Sequence, residues 1–116
     1  MRWKVGFYED ADGKAPVEEF LDSLAAKQRN KLVALIEKLA EYGVDLPFPY
    51  SSQVRGKLRE LRTRLGKTRL RILYFADSKR TFILLHGVVK NTGKLEEAHI
   101  QIAEERLADH NRRLKT

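Results

Sequence analysis

Residues 57–75, KLRELRTRLGKTRLRILYF, alternate apolar and basic side chains on either side of Leu65-Gly66-Lys67-Thr68. Alternation with a period of two is a strand pattern, and a Gly-containing pair between two such runs reads as a two-residue hairpin turn. Pairing Leu65 with Thr68 fixes the register. Leu61 then faces Ile72 and Thr63 faces Leu70 on an apolar surface. Arg64 falls opposite Arg69, and Arg62 opposite Arg71, on the other surface. Like charges directly opposed destabilise a sheet by roughly 0.2–1 kcal/mol per pair. The arrangement serves the fold poorly and suits a face that meets a polyanion.

The rest of the chain supplies what such a hairpin needs to pack against. Residues 2–8, RWKVGFY, alternate Trp3, Val5 and Phe7 with polar or small residues and predict a short first strand. After a polar loop turning at Asp12-Gly13, Pro16 is suited to the first position of a helix, where its missing N–H would be unpaired anyway. Val17, Phe20, Leu21 and Leu24 form one stripe of that helix. A break at 25–27 precedes a second helix running to about Tyr42, with Leu32, Leu35, Ile36 and Leu39 at helical spacing and Gly43 as its C-cap. Two helices joined so closely predict an antiparallel pair. Asp45–Ser52, with Pro47 and Pro49, reads as an irregular connector. The hairpin strands follow at about 57–65 and 69–76, then a turn at 77–79. A third strand, Arg80 to Val89, is apolar on both faces and therefore interior. Asn91, Thr92 and Gly93 break it, and Leu95, Ala98, Ile102 and Leu107 mark a final amphipathic helix. The expectation is one α+β domain spanning 1–116, in the order β-α-α-β-β-β-α, with a mainly antiparallel sheet.

Charge sharpens the functional reading. Of a net +7 over 116 residues, residues 53–80 hold ten Lys/Arg against Glu60 and Asp77, whereas residues 9–27 hold six acids against two lysines. A molecule polarised in this way is expected to bind nucleic acid or another charged partner. With no cysteine there is neither a disulfide nor a thiolate metal site, and a reducing cytoplasm is the default compartment. No apolar run approaches the ~18 residues of a membrane span, and no leader pattern is seen. His86, His99 and His110, without clustered acids, predict no metal site.

A two-residue turn at Ser78-Lys79 would pair Tyr74 with Ile83 and Ile72 with Leu85. Arg71 would then lie beside His86, with Lys90 on the same side, completing a basic cluster with Arg62, Arg64 and Arg69. Phe75, Phe82 and Leu58 would occupy the far end of that face, under the last helix. Such a cleft suits RNA cleavage without a metal. RNA carries its own nucleophile, the 2′-hydroxyl. Guanidiniums match the phosphoryl oxygens and keep their charge, and a lysine crowded by them is a candidate base. DNA lacks the hydroxyl and would be spared. The plainer reading makes Arg62 and Arg71 partners of acids on the last helix, such as Glu96, Glu97 or Glu104.

APVEEFLDSL in the first helix, GKLRELR and RLRILYF in the hairpin, and ILLHGVVKNTGK before the last helix together resemble toxins of the RelE/ParE superfamily, in its phage-derived, HigB-like branch. The resemblance covers nearly the whole chain and implies a RelE-like fold. It also implies translation inhibition by mRNA cleavage at the ribosome, without a cofactor, and neutralisation by a cognate antitoxin, often of helix-turn-helix type. On the matching positions, Arg71 corresponds to the family's central catalytic arginine and Arg62 to its strand arginine. Lys90 falls where a basic residue follows the last strand, and Lys57 and Arg59 fall where other members contact substrate. For RelE's second catalytic arginine and late tyrosine, the nearest residues here are Lys94 and His99. Glu60 departs from the pattern as an acid among basic positions.

The sequence thus assigns catalysis to Arg62, Arg71, Lys90 and His86, with Arg62 and Arg71 holding the scissile phosphate and stabilising its transition state, Lys90 or Lys57 as base or electrostatic helper, and His86 as acid or orienting group. RNA binding is assigned to Lys57, Arg59, Arg64, Arg69 and Lys94. The rival readings are a ParE-like, non-enzymatic gyrase poison and a nucleic-acid-binding phage accessory protein without activity.

Overall fold

The computed structural model describes residues 2–91 and 94–114, among which are eight α-helices and β-strands and one short 3₁₀ helix, Gly43–Asp45. In chain order the eight are β1 (Lys4–Phe7), α1 (Pro16–Ser23), α2 (Ala26–Tyr42), β2 (Ser51–Arg55), β3 (Leu58–Leu65), β4 (Thr68–Ala76), β5 (Thr81–Lys90) and α3 (Glu97–Leu114). The five strands form one sheet in the order β1-β5-β4-β3-β2, with β1 parallel to β5 and every other pair antiparallel. The class is α+β, as the pattern of elements predicts, with one more strand than expected.

That extra strand is β2. It pairs with β3 through a second Gly-Lys loop, Gly56-Lys57, between the paired residues Arg55 and Leu58. Gly56 (φ 57°) and Gly66 (φ 61°) both take the left-handed conformation that two-residue hairpins demand and that glycine adopts without steric cost. Lys57 consequently lies in a turn rather than at the start of a strand.

Apolar side chains from the sheet fill two cores, one on each face. Leu61, Leu70, Ile72, Tyr74, Phe82 and Leu84 pack against Val17, Leu21 and Leu24 and against Leu32, Leu35 and Leu39 of α1 and α2. On the other face Leu58, Leu73, Phe75, Ile83 and Leu85 meet Ala103, Ile100 and Leu107 of α3. Phe82 is therefore on the α1/α2 side, not under α3. The α1/α2 corner is tied by Arg29, whose Nε donates to the Leu21 carbonyl at 2.9 Å and whose Nη2 donates to that of Leu24 at 2.9 Å, satisfying carbonyls that α1 leaves unpaired at its end. Gly43 closes α2 at φ 57°, and a Cβ there would stand 2.0 Å from Trp3 Nε1.

The β3–β4 register is the expected one, from Leu65↔Thr68 through Arg64↔Arg69 and Arg62↔Arg71 to Leu61↔Ile72. The β4–β5 register is not. Asp77 and Thr81 close a three-residue loop, Ser78-Lys79-Arg80, in which the Asp77 carboxylate accepts from the backbone N–H of Lys79 and Thr81, and Arg80 sits at φ 63°. A left-handed third residue is the usual geometry of such loops. Tyr74 pairs with Leu84, and after a bulge Leu73 pairs with His86, Arg71 with Val88 and Arg69 with Lys90. The bulge restores strand parity, so His86 and Lys90 keep to the arginine face, each two residues further along β4 than a two-residue turn would place it.

Candidate functional site

On the α3 side of the sheet, Glu60, Arg62 and Arg64 of β3 project beside Arg69 and Arg71 of β4. The buried Glu60 carboxylate accepts from Arg71 Nη1 at 2.9 Å and stands 3.3 Å from Arg62 Nε. Arg71 is itself only 5% exposed. The close Arg62–Arg71 opposition is therefore partly offset from within by one shared acid, leaving a net +1. Arg62 is further held by Phe48, whose ring centroid lies 5.1 Å from its guanidinium carbon.

Arg64 and Arg69 have no such relief. Among the described residues neither has an acidic partner, and Arg69 donates only to the Asn91 carbonyl, at 3.2 Å. These cations open into a groove of about 600 Å³ lined by Arg62, Arg64, Arg69, Arg71, Lys31 and Tyr50. Lys31 reaches it from α2, donating to the Arg64 carbonyl at 2.9 Å. Three acids of the last helix and its approach are engaged elsewhere: Glu97 and Glu104 of α3 hold Arg55, and Glu96, just before α3, holds Lys90. The carboxylate that pairs with Arg62 and Arg71 is Glu60, not one from the last helix.

Lys90 sits beside Arg69 in the register, its ammonium donating to the Lys94 carbonyl at 3.0 Å and to Glu96 at 2.8 Å. Lys94 is exposed on the loop before α3. His86 does not line the arginine groove. It lies under α3, where its Nε2 is 2.8 Å from Nδ1 of His99, its ring stacks on His99 at 5.0 Å, and its Nδ1 faces Arg106 Nη1 at 3.3 Å. Burial, then the charge of Arg106 and the neighbouring His99, push the His86 pKa down to about 4. Since the guanidinium only donates, His86 accepts at Nδ1 and donates from Nε2 to His99. A neutral ring in this tautomer is a structural link to α3.

Lys57 and Arg59 are also apart from the groove. Arg59 projects from the opposite sheet face, where its Nε and Nη2 donate to the Ser51 hydroxyl at 3.2 and 3.1 Å, and that hydroxyl bonds the Tyr74 hydroxyl at 2.6 Å. Lys57 lines a separate cavity of about 330 Å³ beside it. Of the residues singled out by sequence, the structure brings Arg62, Arg64, Arg69 and Arg71 together, adds Lys90 at the edge, and separates His86, Lys94, Lys57 and Arg59. It adds Lys31, Phe48 and Tyr50. The signal available for the last two was the spacing Phe48-Pro49-Tyr50, two large aromatics in an irregular connector.

No helix among the described residues is long and apolar enough to cross a membrane, and no three His, Asp or Glu side chains among them converge as a metal site would require. Fold and site together define an α+β protein with an arginine-lined groove on one sheet face. Residues 19–108 match the sequence model of the family described as phage derived protein Gp49-like (DUF891), and the chain belongs to that family. No curated protein matches it.

Proposed function

We propose that this protein is the toxin of a type II toxin–antitoxin pair, a HigB-like member of the RelE/ParE superfamily that cuts mRNA at the ribosome. The observation carrying this reading is the opposition of Arg64 and Arg69 with no acid between them, at the mouth of a groove shared with Arg62. A fold that retains an uncompensated like-charge pair, at a cost of ~0.2–1 kcal/mol, recovers that cost when an anion binds. Guanidinium forks present paired N–H donors to a phosphodiester.

In the proposed reaction Arg62, Arg64 and Arg69 hold the scissile phosphate, and their charge stabilises the phosphorane as negative charge builds on its oxygens. The 2′-oxygen of the RNA attacks phosphorus as its proton passes to solvent water, and the P–O5′ bond breaks as water protonates the leaving 5′-oxygen, which yields a 2′,3′-cyclic phosphate and a 5′-hydroxyl. Arg71, fixed against Glu60, sets the position of Arg62 through the shared carboxylate, and Lys90 extends the positive surface beside Arg69. A cognate antitoxin, expected to be of helix-turn-helix type, would cover this basic face.

Primer extension on mRNA after induction is the direct test. Cuts clustered near codons support the reading. DNA breaks with an SOS response and intact mRNA would replace it with gyrase poisoning, and neither effect would leave a nucleic-acid-binding accessory protein.

A further inference from the structure

We infer that the cavity between α2 and Tyr50 is a base-binding subsite for single-stranded RNA, adjoining the arginine groove. The inference rests on the reading of that groove as an RNA site. The cavity is an open surface hollow of about 350 Å³ lined by Asn30, Ala34, Leu35, Lys38, Tyr50 and Thr63. That volume lies at the lower end of the ~300–1,000 Å³ of small-ligand sites. It shares Lys31, Tyr50 and Thr63 with the arginine groove, so Tyr50 is a common wall between a cationic compartment and a more apolar one.

The wall is held in place. The Tyr50 carbonyl accepts from the Arg62 N–H at 2.8 Å, and the Tyr50 N–H donates to the Pro47 carbonyl at 3.0 Å, which pins the connector to the strand that carries the arginines. The ring is 42% exposed, and Lys38 Nζ stands 5.2 Å from its centroid. Ala34 and Leu35 supply an apolar floor, and the Asn30 amide at the rim can both donate to and accept from a base edge. A neighbouring phosphate in the groove and a base against Tyr50 is the pattern by which single strands are held, stacking on one side and charge on the other.

The surroundings favour RNA over a protein occupant. Lys31, Lys38, Arg62 and Arg64 surround the aromatic wall and no acid among the described residues lines either pocket, a charge that suits the phosphates of a single strand.

Fluorescence anisotropy on the full chain separates the subsite from the groove. The probes are a short single-stranded RNA and an abasic ribose-phosphate oligomer of the same length. Tyr50→Ala should weaken RNA binding roughly tenfold or more, as loss of one stacked base does, and weaken abasic binding far less. Tyr50→Phe should restore RNA binding. Ala34→Gln, which fills the cavity from an exposed helix position without touching the core, should produce the same selective loss. Equal RNA affinity in wild type, Tyr50→Ala and Ala34→Gln overturns the subsite. If instead Arg64→Ala and Arg69→Ala leave binding of both oligomers intact, the reading of the groove falls, and the subsite with it.

Discussion

Arg71 donates to the Glu60 carboxylate at 2.9 Å in a pair that solvent barely reaches. Buried pairs of this kind respond asymmetrically to mutation. Removing one partner strands a charge and typically costs about 3–5 kcal/mol, whereas replacing both by apolar residues is often neutral. Arg71→Ala should therefore destabilise the fold strongly, and a loss of toxicity in that variant would not separate catalysis from unfolding. The double variant Glu60→Leu with Arg71→Met should recover most of the stability, as urea denaturation monitored by circular dichroism would show. A single Arg71→Ala variant as stable as wild type would contradict the burial of this pair.

Arg64 and Arg69 should behave in the opposite way. Neither supports the fold through an acid, so Arg64→Ala or Arg69→Ala should leave stability unchanged or raise it by up to ~1 kcal/mol through relief of like-charge opposition. RNA affinity should fall, and the slope of log K against log salt should shrink by ~0.7 for each phosphate contact removed from a single strand. Anisotropy titrations at several salt concentrations read both quantities.

His86 should make the protein acid-sensitive. Its pKa in the fold, about 4, is below the usual 6.5, first because of burial and then because of Arg106 and His99. The unfolded chain then binds the extra proton first as pH falls, so stability should decline from pH 6.5 toward 4 and be fully present above 6.5. Urea midpoints at pH 7 and 4.5 should differ more for wild type than for His86→Gln. Identical pH dependence in the two proteins would refute the assignment.

Gly43→Ala should destabilise the α2 terminus. The left-handed φ of 57° disfavours any side chain, and the new methyl would overlap the Trp3 indole at 2.0 Å from Nε1. A loss of about 1–3 kcal/mol is expected, as for other overpacking substitutions, with a blue or red shift in Trp3 fluorescence reporting the displaced ring.

The hairpin was legible because alternation and the Gly66-Lys67 turn fix a register by counting, and a period of two permits no partial slip. The same Gly-Lys signal at Gly56-Lys57 marks β2, but the segment before it carries two prolines and a weaker alternation, which hid the strand. The β4–β5 connection departs from a two-residue turn for a different reason. Asp77 caps its own loop through side-chain bonds to Lys79 and Thr81 N–H, which favours three loop residues over two. That choice, with the bulge beside Tyr74, moved His86 from Arg71 to Leu73. Glu60 was visible as an acid among bases, yet only burial shows that it serves Arg62 and Arg71 together. Phe48 and Tyr50 stand out in the connector as large aromatics, but long-range folding is what sets one against Arg62 and the other at the groove wall.

Growth arrest by the Arg64→Ala/Arg69→Ala double variant tests the central claim most directly, because this change removes the exposed grip on phosphate while leaving the Glu60–Arg71 pair untouched. The account predicts a protein with an unchanged urea midpoint, no mRNA cleavage by primer extension, and no arrest on induction. A variant that folds normally and still cleaves mRNA and arrests growth at the wild-type level would contradict it.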